Sequence, residues 1–328
     1  MREAASLGVT SVQNMANPPL DYGDLGSLAE LLGEGRLTTR FYVAPLITGV
    51  EDQAKLGIRR AFGGAWLRIG AVKGYADGSL GSRTAYFFEP FDDQADNRGL
   101  LGETMQPLSK MRGYLERADA GGLQVCVHAI GDAAISTVLD LYAEVAEHGG
   151  ARDRRWRIEH AQHMAAKDFQ RFAALGVVAS VQPYHAIDDG RWAVGRIGRE
   201  RASRTYAFRT FLDHGVHVAF GTDWPVAPLD PMLTLYAATT RATLDGKNPG
   251  GWFPEQKVTI EEAIEAYTLG SAYAEFQENE KGTITAGKLA DFVELSEDIL
   301  HLPPAELRRV RVLRTVVGGR EVYRATSH

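Results

Sequence analysis

The sequence predicts an α/β fold in which parallel strands alternate with amphipathic helices. Three observations support this: short runs rich in Val, Ile, Phe and Tyr, helical periodicity between them, and regular repetition along most of the chain. Several of the runs end in polar residues, as strands buried on both faces of a parallel sheet do. The seven runs occupy residues 9–15, 41–47, 66–77, 123–132, 155–163, 177–185 and 216–224.

The connecting segments have the apolar spacing of surface helices. Residues 133–148 place apolar side chains on one helical face, and residues 166–175 do the same with charges opposite. Thr259 followed by Glu262 forms a capping-box pattern that predicts a helix start. These segments supply the helices that a β–α repeat requires.

Repeated β–α units fit either a barrel or a doubly wound sheet. The stretch GSLG at 78–81 lacks the G-x-G-x-x-G spacing of dinucleotide-binding folds, which argues against a Rossmann arrangement. Seven runs are one short of an eight-stranded barrel, and the helix-like segment REAASLG precedes the first of them. We therefore expect a TIM-like (β/α)8 barrel that lacks its first strand.

The tail does not continue this rhythm. Residues 281–295 and 312–323 alternate in polarity and contain Gly turns, which predicts strands of a small accessory β-domain. The expected domains are therefore an incomplete barrel at 1–280 and accessory strands at 281–328.

Composition excludes several classes of function. Of the 328 residues, 45% are hydrophobic and 24% charged, and the formal net charge is −6. No basic tract indicates a nucleic-acid partner, and no apolar run is long enough to predict a membrane span. The single cysteine, Cys126, excludes an intramolecular disulfide and fits a cytoplasmic protein.

Four polar side chains lie near the carboxyl ends of predicted strands: Lys73, His128, His160 and Asp223. Barrel enzymes place their active sites at these ends. Imidazoles and carboxylates that converge on one rim can bind Zn²⁺ or a similar divalent metal. The pattern predicts a metal site that activates water and polarises a carbonyl.

At these residues the sequence resembles the amidohydrolase superfamily, in particular the amidohydrolase-3 group of YtcJ-like and N-substituted formamide deformylase-like proteins. The resemblance covers the whole chain and about the last two-thirds of a family member. It rests on VKGYADGSLGSRTA (72–85), VHAIGDAAI (127–135), RIEHAQHM (157–164), SVQPYH (180–185), GTDWPV (221–226), GKLADFVEL (287–295) and TVVGGREVY (315–323).

The resemblance implies hydrolysis of a non-peptide C–N bond in a small or N-substituted amide. It implies that Lys73 is a CO₂-carboxylated metal ligand and that His128 and His160 are ligands after the fifth and sixth strands. Asp223 would bind metal, act as general base and pass the proton to the leaving amine. One or two Zn²⁺ ions are the expected cofactor.

The sequence departs from this family in one respect, since it contains no H-x-H motif, which would supply two further metal ligands. This motivates an alternative, a truncated and inactive amidohydrolase-like protein. A barrel lacking a strand exposes two sheet edges, so we expect it to be unstable, homo-oligomeric or completed by another segment. A Schiff-base mechanism at Lys73 is a third hypothesis, but it leaves the histidines and Asp223 without a common role.

Five further residues are candidates for substrate contact. Asp77, Ser82 and Arg83 lie in a glycine-rich loop, where a purely structural turn is the alternative. Gln182 and His185 lie at the end of the sixth run, 177–185, and would line the pocket. Asp132 is expected to orient His128 or to cap the next helix.

Overall fold

The computed structural model describes residues 1–326, so Ser327 and His328 of the expected tail unit lie outside the described residues. The fold is α/β, as predicted. The strands are β1 Ser11–Met15, β2 Arg40–Ala44, β3 Phe62–Gly63, β4 Leu67–Ile69, β5 Ala71–Tyr75, β6 Gln124–Ala129, β7 Arg157–His160, β8 Val178–Val181, β9 Val218–Phe220, β10 Phe292–Leu295, β11 Val312–Val317 and β12 Arg320–Arg324.

Helices separate most of these strands. No helix within residues 1–326 combines the length and apolar character needed to cross a bilayer. The α-helices are α1 Arg2–Ser6, α2 Leu25–Gly33, α3 Val50–Lys55, α4 Leu108–Gly121, α5 Asp132–Gly149, α6 Asp168–Leu175, α7 Pro183–Asp189, α8 Ala193–Ser203, α9 Phe208–Asp213, α10 Pro231–Thr240, α11 Ile260–Glu265 and α12 Ser271–Tyr273.

The parallel strands form one continuous succession. Strands β1, β2 and β4 pair in parallel, with β3 antiparallel at the outer edge of β4. Strands β5 to β9 form a second, five-stranded parallel sheet in chain order. The Lys73 amide donates to the Pro45 carbonyl at 2.7 Å and joins the two sheets. Each of the seven predicted apolar runs contributes to this succession.

The run at 66–77 differs from its prediction, because it forms two strands rather than one. The break is Gly70, whose φ is +119°, and a Cβ there would lie 2.0 Å from the Arg59 carbonyl oxygen. Only glycine accommodates this geometry without strain. The break lets β4 pair with β2 while β5 pairs with β6.

Within residues 1–326, β1 pairs only with β2, and β9 pairs only with β8. Polar side chains connect these two edges. The Gln13 amide donates to the Ser271 carbonyl at 2.7 Å, and the Ser271 hydroxyl donates to the Phe220 carbonyl at 2.9 Å. Ser271 begins α12, which follows a π-helical turn at Ala266–Gly270.

The face of the sheet toward the helices is apolar, whereas the opposite face combines a small apolar cluster with buried polar and charged side chains. Helix α5 buries Ile135, Val138 and Leu139 against the sheet, as its predicted apolar face requires. Along β7, Ile158 joins this core, whereas the alternate residues Arg157 and Glu159 pair with each other through N–O contacts of 2.8 and 3.0 Å. The face of the sheet away from the helices therefore holds buried charge directly below the strand ends.

The tail forms a three-stranded antiparallel sheet in the order β10–β11–β12. Only 292–295 of the predicted strand-like segment 281–295 is a strand, because Gly282 and Gly287 place positive-φ turns in the preceding stretch. The Thr259–Glu262 capping box is confirmed at the start of α11. Helix α1 contacts this sheet through a bond from the Thr315 hydroxyl to the Ala5 carbonyl at 2.7 Å.

Candidate metal centre

Strand register brings two predicted ligands together. Tyr75 lies opposite His128 across β5 and β6, and Ala129 lies opposite His160 across β6 and β7. The His128 and His160 rings meet edge to face with centroids 4.6 Å apart. Parallel pairing thus places both imidazoles at one end of the sheet.

Three potential ligand atoms converge on this end of the sheet. They belong to His160, His185 and Asp223, and all lie within 4.8 Å of one another. His185 Nε2 is 3.2 Å from Asp223 Oδ2. His185 reaches the group because Pro183 starts α7 immediately after β8, which places His185 in the first helical turn.

Two of these residues have uncommon backbone conformations. His160 has φ +74° and Asp223 has φ +63°, which lie in the left-handed region that non-glycine residues rarely adopt. Each residue directly ends or closely follows a strand. Such backbone strain is typical of sites where function fixes the side-chain direction.

The surroundings of His160 and Asp223 set the charge of both side chains. Burial, followed by the neighbouring His128, lowers the pKa of His160 well below its usual value. Burial would raise the pKa of Asp223, but the hydrogen bond from His185 and the nearby His160 lower it overall. At neutral pH the site therefore presents a neutral imidazole and an ionised carboxylate.

Hydrogen bonds assign different tautomers to the two neighbouring histidines. Nδ1 of His160 lies 2.8 Å from Oε1 of Gln182, so Nδ1 carries the hydrogen and Nε2 keeps its lone pair. Nε2 of His128 lies 2.9 Å from the Gly78 carbonyl oxygen, so His128 has the opposite arrangement. In its neutral form, each ring keeps one nitrogen with a free lone pair.

Lys73 lies deeper than the three converging residues. Its side chain is buried, and Nζ lies 4.8 Å from the centre of the Tyr75 ring. Burial lowers the pKa of Lys73 against the opposing effect of Glu159 and, more weakly, of Asp223. A buried amine with a lowered pKa has the nucleophilic form that carboxylation by CO₂ requires, but the ligand role of Lys73 stays a prediction.

The glycine-rich loop is held by its own polar residues. The buried Asp77 carboxylate accepts backbone N–H groups of Tyr86, Ile130 and Gly131 at 2.9, 3.0 and 2.8 Å. Asp77 Oδ1 also lies 3.4 Å from His128 Nε2. This position suits an anchor for the loop, and its predicted contact with substrate remains untested.

Ser82 and Arg83 lie at the surface of the same loop. The Ser82 hydroxyl contacts the hydroxyls of Ser79 and Thr84 at 2.8 and 2.6 Å. Arg83 forms an ion pair of 2.9 Å with Asp93. Both residues are therefore engaged within the loop region, and their predicted contact with substrate also stays a prediction.

The sequence analysis did not foresee two relationships. The predicted substrate contact of His185 stays a prediction, and its ring also belongs to the group of potential metal ligands. Asp132 accepts the Phe88 N–H at 2.9 Å, whereas the carboxylate beside His128 is Asp77. The signal for His185 was the helix-starting proline within SVQPYH, which fixes how far the chain turns after β8.

The donor set fits a divalent cation on chemical grounds. Neutral imidazoles and an ionised carboxylate are the forms in which these groups bind Zn²⁺. The lowered pKa values of His160 and Asp223 provide both forms at neutral pH. His128 offers a further imidazole at the edge of the group.

Comparison with known proteins agrees with this chemistry. The family model described as the amidohydrolase family matches residues 1–323. This chain belongs to the amidohydrolase family. The predicted membership is therefore confirmed, and the fold carries the parallel sheet of that hydrolase family.

Two curated proteins are similar in sequence to this chain. N-substituted formamide deformylase of Arthrobacter pascens is 31% identical over 80% of this chain and 47% of its own length. Protein LONG AFTER FAR-RED 3 of Arabidopsis thaliana is 41% identical over 79% of this chain and 43% of its own length. The amidohydrolase-family chain thus spans about half the length of these curated relatives.

A solved structure is similar to this chain over most of the chain's length. The crystal structure of an uncharacterized metal-dependent hydrolase from Pyrococcus horikoshii OT3 has a TM-score of 0.80 and 31% identity. The match covers 91% of this chain and 58% of that protein.

Proposed function

We propose that this amidohydrolase-family chain carries the catalytic half of a metal-dependent hydrolase that cleaves non-peptide C–N bonds in small or N-substituted amides. The observation that carries the proposal is the convergence of His160, His185 and Asp223 within 4.8 Å at the strand ends. Family membership supports the hydrolase class. The formamide-cleaving relative supports the bond type.

The residues that would hold metal are His160, His185 and Asp223, with His128 and carboxylated Lys73 as further ligands. A bound divalent cation, Zn²⁺ in our proposal, would polarise the amide carbonyl and lower the pKa of a coordinated water. The same donors serve one or two ions.

Asp223 would act as the general base. Its lowered pKa keeps it ionised at neutral pH, so it can accept a proton from the attacking water. The distance of 3.2 Å between His185 Nε2 and Asp223 Oδ2 places the carboxylate beside the other potential ligands. The same carboxyl would then pass the proton to the departing amine nitrogen, which must be protonated to leave.

We further propose that the eight parallel strands, with β4 and β5 occupying one barrel position, are a (β/α)8 barrel without its first strand and that residues 281–328 belong to an accessory β-domain. The unpaired outer edges of β1 and β9 within residues 1–326 support this arrangement. A strand placed between these edges would complete the barrel. The inactive alternative rests on the absence of an H-x-H motif from the sequence, and the comparisons do not favour it.

Metal binding and turnover test the proposal together. Purified chain is titrated with Zn²⁺ against a chelating dye, and formate release is followed from a panel of N-alkyl and N-aryl formamides. We expect stoichiometric zinc and hydrolysis. Asp223→Asn should retain most zinc but lose at least about 100-fold in kcat, since the general base is removed.

The control is Asp213→Asn, a change at the surface end of α9. This variant should match the parent in zinc content and rate. A chain that takes up no zinc, or that cleaves matched esters but no amide, would contradict the proposal. Tight zinc binding together with turnover would reject the inactive alternative.

A further inference from the structure

We infer that Gln182 is a positioning residue that locks His160 in the tautomer with hydrogen on Nδ1. This differs from the substrate contact that the sequence suggested for Gln182. The tautomer follows from geometry alone. Its consequence for metal binding rests on the proposed function, because only a metal or substrate would use the free Nε2.

The orientation of the Gln182 amide is determined by a second partner. Nε2 of Gln182 lies 3.3 Å from the Ser180 carbonyl oxygen, which can only accept a hydrogen bond. The opposite orientation would set two acceptor oxygens against each other. Oε1 of Gln182 must therefore face His160, where it lies 2.8 Å from Nδ1.

Oε1 of Gln182 also cannot donate a hydrogen bond. A glutamine carbonyl accepts only, so His160 must donate from Nδ1. The other tautomer would place a nitrogen lone pair against Oε1 in a site where Gln182 is only 6% exposed. Leaving a buried acceptor unpaired is unfavourable, and this selects one tautomer.

The local fold explains why this residue holds the ring. Gln182 follows β8 directly and precedes Pro183, so its backbone is fixed between a buried strand and a helix start. The same turn carries His185 into the group of potential ligands. One short segment therefore presents one donor and sets the orientation of another. Partners of this kind typically change metal affinity about 10- to 100-fold.

Nitrogen-15 NMR tests the inference without metal. The chain is labelled with ¹⁵N-histidine, and long-range ¹H–¹⁵N correlations report the tautomer of each ring. His160→Asn identifies the His160 signals by their loss. We expect hydrogen on Nδ1 in the parent chain, its retention in Gln182→Glu, and loss of this preference in Gln182→Leu.

The matched control is Gln53→Leu, which replaces another buried glutamine whose side-chain atoms have no hydrogen-bond partner within residues 1–326. It should leave the His160 signals unchanged. Hydrogen on Nε2 in the parent, or an unchanged His160 tautomer in folded Gln182→Leu, would overturn the inference.

A zinc titration of the same variants adds the functional readout. Gln182→Leu should weaken zinc binding about 10- to 100-fold, while Gln182→Glu should bind at least as tightly as the parent. Equal affinity of Gln182→Leu and the parent would overturn the positioning role in metal binding. If the parent binds no zinc, the proposed function fails, whereas the tautomer measurement still decides the inference.

Discussion

The Asp77 carboxylate lies 3.4 Å from Nε2 of His128 while accepting three backbone N–H groups from two other segments. A single buried side chain therefore joins the end of β5 to the loop residue Tyr86 and to the turn that follows β6. Gly131 belongs to this junction, and a Cβ there would lie 2.1 Å from the Tyr86 carbonyl oxygen. The junction holds the loop against the strand ends that carry the histidines.

Asp77→Ala should therefore destabilise the chain by about 3 kcal/mol or more, because three buried N–H groups would lose their acceptor. Asp77→Asn keeps one acceptor oxygen, so its stability should lie between that of the parent and that of Asp77→Ala. Urea unfolding followed by tryptophan fluorescence measures the change. Asp96→Ala, at an exposed position of the same loop region, should change little. Equal stability of the two alanine variants would contradict the anchoring role of Asp77.

Lys73 and Lys281 offer a paired test of buried charge. Both are buried, but Lys281 contacts Glu275 at 2.5 Å, whereas no carboxylate within residues 1–326 lies within ion-pair distance of Lys73. Without metal or CO₂, Lys73→Met should stabilise the chain by about 1–3 kcal/mol, since it removes the cost of burying an amine. Lys281→Met should destabilise it by about 3–5 kcal/mol, since Glu275 would lose its partner.

Thermal unfolding in CO₂-free, chelator-containing buffer measures both changes. In buffer with CO₂ and without chelator, Lys73→Met should also abolish the zinc binding that depends on a carboxylated Lys73. The explanation based on an unpaired buried amine fails if Lys73→Met lowers the melting temperature as much as Lys281→Met does.

His163 should make stability depend on pH. Its ring is buried, Nδ1 contacts the Thr205 hydroxyl at 2.8 Å, and Nε2 has no hydrogen-bond partner within residues 1–326. Burial lowers the pKa of His163 to about 3. The unfolded chain, with a histidine pKa near 6.5, therefore binds the proton more readily, and stability falls as pH drops from about 6.5 toward 3.

His163 should contribute about 1.4 kcal/mol of this loss for each pH unit in the window, or about 3 kcal/mol at pH 4, and His160, whose pKa is also lowered by burial, adds to it. Urea unfolding at pH 7, 5.5 and 4 measures it. His163→Gln should reduce the slope by this contribution, and His148→Gln, at an exposed position, should leave it as in the parent. Parallel pH profiles for the parent and His163→Gln would refute the assignment.

The sequence predicted the parallel strands well because their apolar residues are buried by tertiary packing on both sides. It did not foresee the break at Gly70, since a glycine in a strand-like run does not reveal which backbone atom approaches it. Candidate ligands were found where they end a strand, as His128 and His160 do. The convergence of His185 with His160 and Asp223 was not foreseen, because it depends on how the chain turns after Gln182, and that geometry has no periodic signal.

The bridge from Gln13 through Ser271 to Phe220 has a consequence for motion. Two hydrogen bonds connect edges that a full strand ladder would otherwise join, so this seam should open at lower free energy than the paired strands. His128, His160, Gln182 and Asp223 all lie on or just beyond the unbroken sheet from β6 to β9. Opening at the seam would therefore leave the spacing of these side chains unchanged.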